Sequence, residues 1–385
     1  MGRFDETVCH CTLNRIFGFE PRIALALIET LGSASAVFEL SRSGLDEILG
    51  PFSKHRDDIC FHALEQSAEE LNRLSLTGCR FLPYSDPAFP SLLKECEDPP
   101  IGLYYKGVSP PDEIFGNLNT IAVVGTRDLS SYGNEWCERI VKGIAESGSE
   151  PTIVSGLALG TDIAAHRTAL TEGIPTIAVM ATGIDEVYPY RHNRDAEIIS
   201  STPSCALVTD YPPGTAPLQV NFLRRNRIIA GMSRATILIE SKFRGGGMMT
   251  ANLAFSYGRE VYALPGRIDD VRSQGCNHLI RGRIAEAISS EAELGKSLGL
   301  DIRRSRRRDL ASEAKRLYEA GMGQEKLSTL LEMIGIIGKN RGIDVEDLAS
   351  GCGLSYQEAM ECVTMLEADG LVSIDLLRRC SLNLK

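Results

Sequence analysis

The chain has 385 residues, enough for two or three domains, with 43% hydrophobic residues to fill their cores and a formal net charge of −10. That acidity excludes a generally basic nucleic-acid coat. The eleven cysteines are scattered, without a C-x-x-C pair, so the expectation is reduced thiols in a cytoplasmic protein rather than a disulfide framework.

Residues 1–82 read as a helical module. Apolar positions Ile23, Leu27, Ile28 and Leu31 recur at helical spacing, followed by the break Gly32-Ser33 and a second apolar run. The pattern is helix–hairpin–helix-like (SAM-like), but its hairpin carries no Lys or Arg, which favours an accessory bundle over a DNA-backbone contact. Cys9-His10-Cys11 looks ligand-like but has no second half-site at zinc spacing, so no metal is expected. There is no apolar signal core, and no run reaches the ~18 residues of a membrane span. Residues 83–118, rich in proline and aromatics, read as a linker packed on the following domain.

From residue 119 to 296 the pattern is α/β. Continuous apolar runs at 121–125, 152–156, 176–183, 205–211, 235–240 and 260–266 alternate with helical stretches. Runs without a polar face are strands buried on both sides, and strands alternating with helices make a doubly wound, Rossmann-like parallel sheet. Ligands of such sheets sit at the carboxyl ends of the strands. The glycines and arginines fall there: Gly125-Thr126-Arg127, Ser155-Gly156, Gly245-Gly246-Gly247 and Pro265-Gly266-Arg267.

Phe222–Ser233 (FLRRNRIIAGMS) is the stretch around which the rest of the chain is organised. Arg224, Arg225, Asn226 and Arg227 are read as a cluster just before a helix, where guanidinium groups would stand at the positive end of the helix dipole and bind phosphate. Charge is distributed accordingly: residues 222–283 hold ten Arg and one Lys against four acids, while residues 309–375 hold thirteen acids against five basic residues. A local positive surplus in an acidic chain points to an anion site.

Residues 297–312 form a basic linker containing DIRRSRRRD. Residues 313–385 then have a winged-helix cadence of helix, turn at Gly351–Gly353, helix and short strand. The segment in the recognition-helix position, YQEAMECVTMLEADG, is acidic and lacks Lys and Arg, which suits a protein contact better than DNA.

Enzymatic signatures are sparse. There is no G-x-x-x-x-G-K-[ST] and no G-x-G-x-x-G after the first strand. Asp162 and His166 share a helix face, and Glu240 ends a strand. With the GGGMMT loop these could make a nucleotide N-glycosidase-like hydrolase, the alternative reading. That loop, however, lacks the proline of a P-G-G-x-G-T pattern and has no acid after it until Glu260.

Together the motifs resemble the DNA-processing protein A family (DprA, also called Smf). The resemblance is carried by VVGTRDLSSYG (123–133), SGLALGTDIAAHRTAL (155–170), TIAVMATGIDEVYP (176–189), NFLRRNRIIAGMS (221–233), GGGMMTANLAFSYGREVYALPG (245–266) and GCNHLI (275–280). It implies an extended Rossmann fold that binds single-stranded DNA without sequence preference. It further implies a homodimer that loads RecA recombinase onto that DNA, displacing or cooperating with single-strand-binding protein, in natural transformation. No catalysis, cofactor or metal is implied. The DNA-contacting candidates are Gly125, Thr126, Arg127, Ser155, Gly156, Arg224, Arg225, Asn226, Arg227, Lys242, Gly245, Gly246 and Thr250, with Phe222 as the stacking candidate for bases. This chain departs from the family pattern at Leu159 (usually basic), at its serine-free glycine loop, at Cys276 (often Thr) and at Asp210 (usually Glu).

Overall fold

The computed structural model describes residues 5–147, 149–300, 310–318, 322–340, 342–375 and 378–383. The chain divides into two compact units, Met1–Arg303 and Arg304–Lys385. Most of the expected basic linker, residues 301–309, lies outside the described residues.

The first unit opens with five helices: α1 (Glu6–Phe17), α2 (Pro21–Leu31), α3 (Ala34–Glu39), α4 (Arg42–Leu49) and α5 (Phe61–Leu76). Gly32 closes α2 at φ +85°, the left-handed conformation that glycine adopts without a Cβ penalty, and Ser33 then caps α3. Leu13, Phe17, Ala24, Ala34 and Val37 meet in the bundle core.

A nine-stranded sheet follows. Its strands are β1 (Cys79–Pro83), β2 (Gly102–Lys106), β3 (Thr120–Val124), β4 (Thr152–Ser155), β5 (Thr176–Val179), β6 (Ala206–Thr209), β7 (Ala235–Leu238), β8 (Glu260–Ala263) and β9 (Glu286–Ala287). Their spatial order is β1-β2-β6-β5-β4-β3-β7-β8-β9. All neighbours from β6 to β9 run parallel, while β1 and β2 are antiparallel additions at one edge. The stretch read as a linker therefore supplies a strand. Leu103 and Tyr104 of β2 are fully buried, so the sheet continues through a segment whose prolines hid it.

Helices cover both faces: α6 (Ser91–Lys94), α7 (Pro111–Phe115), α8 (Ser131–Glu146), α9 (Thr161–Thr171), α10 (Asn193–Ser201), α11 (Gln219–Gly231), α12 (Gly246–Ser256), α13 (Gln274–Arg281) and α14 (Glu291–Ser297). One face (Ala122, Val124, Val154, Val179, Leu238) packs with residues of α11, α12 and α13. The other (Ile121, Val123, Ile153, Ile237) packs with residues of α8, α9 and α14. Each fully buried Val or Ile contributes roughly 1.5–3 kcal/mol relative to exposure, which fixes the register of the central strands.

The second unit holds α15 (Leu310–Tyr318), α16 (Gln324–Lys339), β10 (Ile343–Asp344), α17 (Val345–Cys352), α18 (Tyr356–Ala368), β11 (Val372–Ile374) and β12 (Arg379–Leu382). Its strands form an antiparallel sheet in the order β10-β12-β11 over a core that includes Leu330, Ile337, Leu348, Val363 and Leu366. Ser355 and Glu358 form a reciprocal capping box at the start of α18.

Among the described residues no helix is long and apolar enough to cross a membrane.

Candidate functional site

The strand order reverses between β3 and β7. The chain after β3 returns on one side at β4, and the chain after β6 enters on the other at β7. The carboxyl ends of these two strands thus flank the switch-point crevice. The turn leaving β3 is packed so tightly that a Cβ on Gly125 would stand 2.9 Å from Glu240 O and collide with Thr161 Oγ1.

Three ties hold the loop that follows. Thr161 N–H donates to Thr126 O (3.1 Å), Arg272 Nη2 donates to Asp128 Oδ2 (3.1 Å), and Ser130 donates to the Glu240 carboxylate through both its N–H (3.0 Å) and its hydroxyl. Arg127, in the middle of this fixed loop, is exposed. Its Cζ lies 4.8 Å from the ring centroid of half-buried Phe222, which in turn meets Tyr188 edge-on at 5.5 Å.

On the β7 side, α12 begins at Gly246 behind an N-cap glycine that offers its amides no side-chain acceptor. An added Cβ at Gly246 would meet nothing within 4 Å, and Gly247 is close enough to the β3 turn that its Cβ would stand 3.1 Å from Gly125 Cα. Open amides at a helix start, with exposed Lys242 and Arg244 beside them, favour an anion.

The arginine cluster lies elsewhere than its sequence suggested. α11 starts at Gln219, directly after Pro217-Leu218, so Arg224–Arg227 sit in its second and third turns and not at its positive end. Arg225 is 3% exposed. Its Nη1 donates to Gly156 O (2.6 Å) and to Val179 O, joining the ends of β4 and β5. Burial pushes its guanidinium down to about 10, against the pull of Asp162. Arg227, 5% exposed, donates to Asp210 Oδ2 (2.6 Å) and to Asp98 O. Arg224 is half-buried, 3.3 Å from Asp210 Oδ2, with its guanidinium 4.4 Å from the Phe19 ring centroid.

Other candidates turn inward as well. Ser155 is fully buried and donates to Val123 O (2.6 Å). Gly156 is bare because a Cβ there would stand 2.6 Å from Arg225 Cζ. Buried Asn226 Nδ2 and Thr250 Oγ1 both donate to Gly246 O at 3.5 Å, fastening the start of α12. The structure therefore brings Gly125, Thr126, Arg127, Phe222, Lys242, Gly245 and Gly246 to the crevice, while Arg224 stands apart from it, against Asp210 and Phe19 beyond the end of β6. It keeps Ser155, Gly156, Arg225, Asn226, Arg227 and Thr250 inside as the frame. Tyr188 escaped the sequence reading, although it stands in the quoted GIDEVYP run.

The acids that suggested a hydrolase are withdrawn from the crevice. Glu240 is 1% exposed and caps α8 through Ser130. An added Cβ at Gly133 would stand 2.6 Å from its carboxyl carbon. Burial raises the Asp162 carboxyl above the ordinary range, while Arg225 and the Ala158 N–H pull it down. His166 is fully buried and pushed down to about 3, first by burial and then by the Arg225 charge. The Thr176 hydroxyl already donates to Ile153 O, so His166 Nδ1 donates to Thr176 Oγ1 (2.7 Å). Among the described residues no group of three or more His, Cys, Asp or Glu could hold a metal ion.

The model of the family described as DNA recombination-mediator protein A matches residues 80–299. Protein Smf of Synechocystis sp. is 40% identical over 220 residues, which are 57% of this chain and 54% of that protein. DNA processing protein DprA of Streptococcus pneumoniae is 41% identical over 201 residues, 51% of this chain and 66% of that protein. The matches thus span between half and two thirds of these two relatives. A relative from Mycobacterium tuberculosis is 30% identical over 90% of this chain and 87% of its own. Among solved structures, DNA processing protein A from S. pneumoniae superposes with a TM-score of 0.62 at 30% identity, covering 76% of this chain and 97% of that one. DNA processing protein A from Helicobacter pylori, described with a single-stranded DNA binding mode, does so with a TM-score of 0.50 at 26% identity, covering 57% and 95%.

Proposed function

The chain belongs to the DNA recombination-mediator protein A family, and on that premise we propose that its switch-point crevice binds the phosphates of single-stranded DNA. The observation that carries this reading is Arg127, turned outward from a loop that is tied at three points and whose first residue, Gly125, abuts the uncapped start of α12. A fixed cation next to open amides binds a phosphate with little ordering cost. Exposed Lys242 and Arg244 extend the positive track. Phosphate contacts carry no sequence information, so binding is independent of sequence.

The family's description as a DNA recombination mediator supports a role in recombination on DNA strands, and we propose further that the chain loads RecA recombinase onto single strands, displacing or cooperating with single-strand-binding protein, as a cytoplasmic homodimer that binds rather than catalyses. The N-terminal helical module, in the helix–hairpin–helix position, is an accessory to the core. The second unit, read as a winged helix, meets a protein and not DNA, because α18 carries Glu358, Glu361 and Glu367 without a Lys or Arg.

The test is anisotropy of labelled single- and double-stranded oligonucleotides. It is followed by the lag before RecA hydrolyses ATP on single strands coated with single-strand-binding protein. Preferential single-strand binding and a shortened lag are expected. Equal binding of both DNA forms, or an unchanged lag, would contradict the reading.

A further inference from the structure

We propose that Asp210 is a positioning residue for single-strand binding: its buried carboxylate sets where α11 lies against the N-terminal helical module, and through α11 it shapes the crevice. The inference deepens the single-strand reading and rests on it.

Asp210 directly follows β6 and is 3% exposed. Arg227 Nη2 donates to its Oδ2 (2.6 Å), and Arg224 Nη2 stands 3.3 Å from the same oxygen. The two arginines are three residues apart on α11, so they share one helix face, turned to this single acceptor. The main chain of Asp210 meets the helical module. Buried Asn14 of α1 donates from Nδ2 to Asp210 O (2.9 Å), and Phe19, between α1 and α2, lies 4.4 Å from the Arg224 guanidinium. Arg227 also donates to Asp98 O, and Asp98 Oδ1 accepts from Tyr257 OH (2.7 Å) at the end of α12. One acid thus ties α11 to the sheet and to the module, and through Arg227 to α12.

This arrangement is a weak stabiliser. Asp210 Oδ1 is buried without a hydrogen-bond partner among the described residues. A buried ion pair that leaves an oxygen unsatisfied returns little net stability over an apolar pair of similar size. What it fixes is direction, because two guanidinium groups on one oxygen define the rotation of α11 and its distance from β6. α11 carries Phe222, whose ring lies 4.8 Å from Arg127 Cζ, and Arg225, which joins the ends of β4 and β5. Its neighbour α12 begins at the uncapped Gly246. A small rotation of α11 therefore shifts the anion site although Asp210 touches no DNA.

The sign of the effect makes the test. Asp210→Asn removes a negative charge, and by field alone that strengthens binding of a polyanion, most at low salt. The positioning role predicts the opposite. Oligo-dT affinity, measured where thermal melts show the variant folded, is expected to fall roughly 2- to 30-fold, the range for a residue acting through a packed network. The salt slope is expected to stay unchanged, because no phosphate contact is lost. Asp210→Glu keeps the carboxylate and is expected to restore most of the affinity. Asn14→Ala cuts the tie to the module alone and is expected to weaken binding as well, with the double variant no weaker than Asp210→Asn. Should Asp210→Asn not fold, Asn14→Ala decides. Wild-type or tighter binding by folded Asp210→Asn, wild-type binding by Asn14→Ala, or additive losses in the double variant would overturn the assignment and leave the single-strand reading standing. Failure of the wild-type protein to bind any single strand would overturn both.

Discussion

Replacing Arg225 by alanine separates a structural arginine from a DNA-binding one. In the wild type this guanidinium is 3% exposed and donates to Gly156 O and Val179 O, and its charge offsets that of Asp162. Its removal leaves two buried carbonyls without a donor, at about 1–3 kcal/mol each. Asp162 limits the further loss by taking up a proton, toward which burial already drives it. The sum is about 3–5 kcal/mol, the usual cost of breaking a buried charged network.

The chain has one tryptophan, Trp136, in α8, so its fluorescence reports unfolding of the first unit alone. With a urea dependence of roughly 3 kcal/mol/M, the midpoint is expected to fall by about 1–1.7 M at unchanged slope. Arg225→Lys is expected to recover only part of this, since an ammonium lacks the planar fork. An unchanged midpoint together with lost single-strand affinity would show that Arg225 contacts DNA and that its internal assignment is wrong.

Three other perturbations follow from the same geometry. Gly156→Ala pushes a methyl against the Arg225 guanidinium and is expected to destabilise the first unit by about 1–3 kcal/mol in the same urea assay; a neutral effect would show that the guanidinium moves freely. His166 is neutral in the fold, with its pKa lowered from 6.5 to about 3, so its contribution is full above pH 6.5 and is lost as pH falls toward 3. That loss is on the order of 5 kcal/mol, and the melting temperature of His166→Gln is expected to fall less steeply than wild type over this window; parallel curves would refute it. Phe19→Ala removes the ring under Arg224, worth about 0.5–1 kcal/mol, and is expected to raise hydrogen exchange in α1 and α2 by roughly 2- to 5-fold, with unchanged exchange as the contrary result.

The central strands were legible because continuous β-branched runs that end in glycine turns pack well as doubly buried strands and poorly as helices. β2 was not, since a five-residue strand in a proline-rich segment shows neither alternation nor a long apolar run. The arginine cluster was legible as charge and illegible as geometry. A run of guanidinium groups resembles a boundary, whereas the helix starts earlier, after Pro217. Their partners are also distant in sequence: Gly156 O and Val179 O are 69 and 46 residues from Arg225, and Asp210 is 17 from Arg227. Backbone carbonyls carry no sequence signature as acceptors. Ser155, Gly156 and Thr250 were misplaced for the same reason, because a small or hydroxylated residue at a strand end serves the frame as readily as a ligand. Arg127 is exposed, as its place in a glycine turn at a strand end suggests, because the turn fixed by Gly125 carries its side chain out of the core and against the Phe222 ring.

The most direct measurement is single-strand affinity of wild type and Arg127→Ala across a salt series. Loss of one phosphate contact is expected to reduce the slope of log affinity against log salt by about 0.7. Weaker binding with that shallower slope would place Arg127 on the DNA backbone. Parallel lines of equal affinity would remove the switch-point crevice from the DNA path.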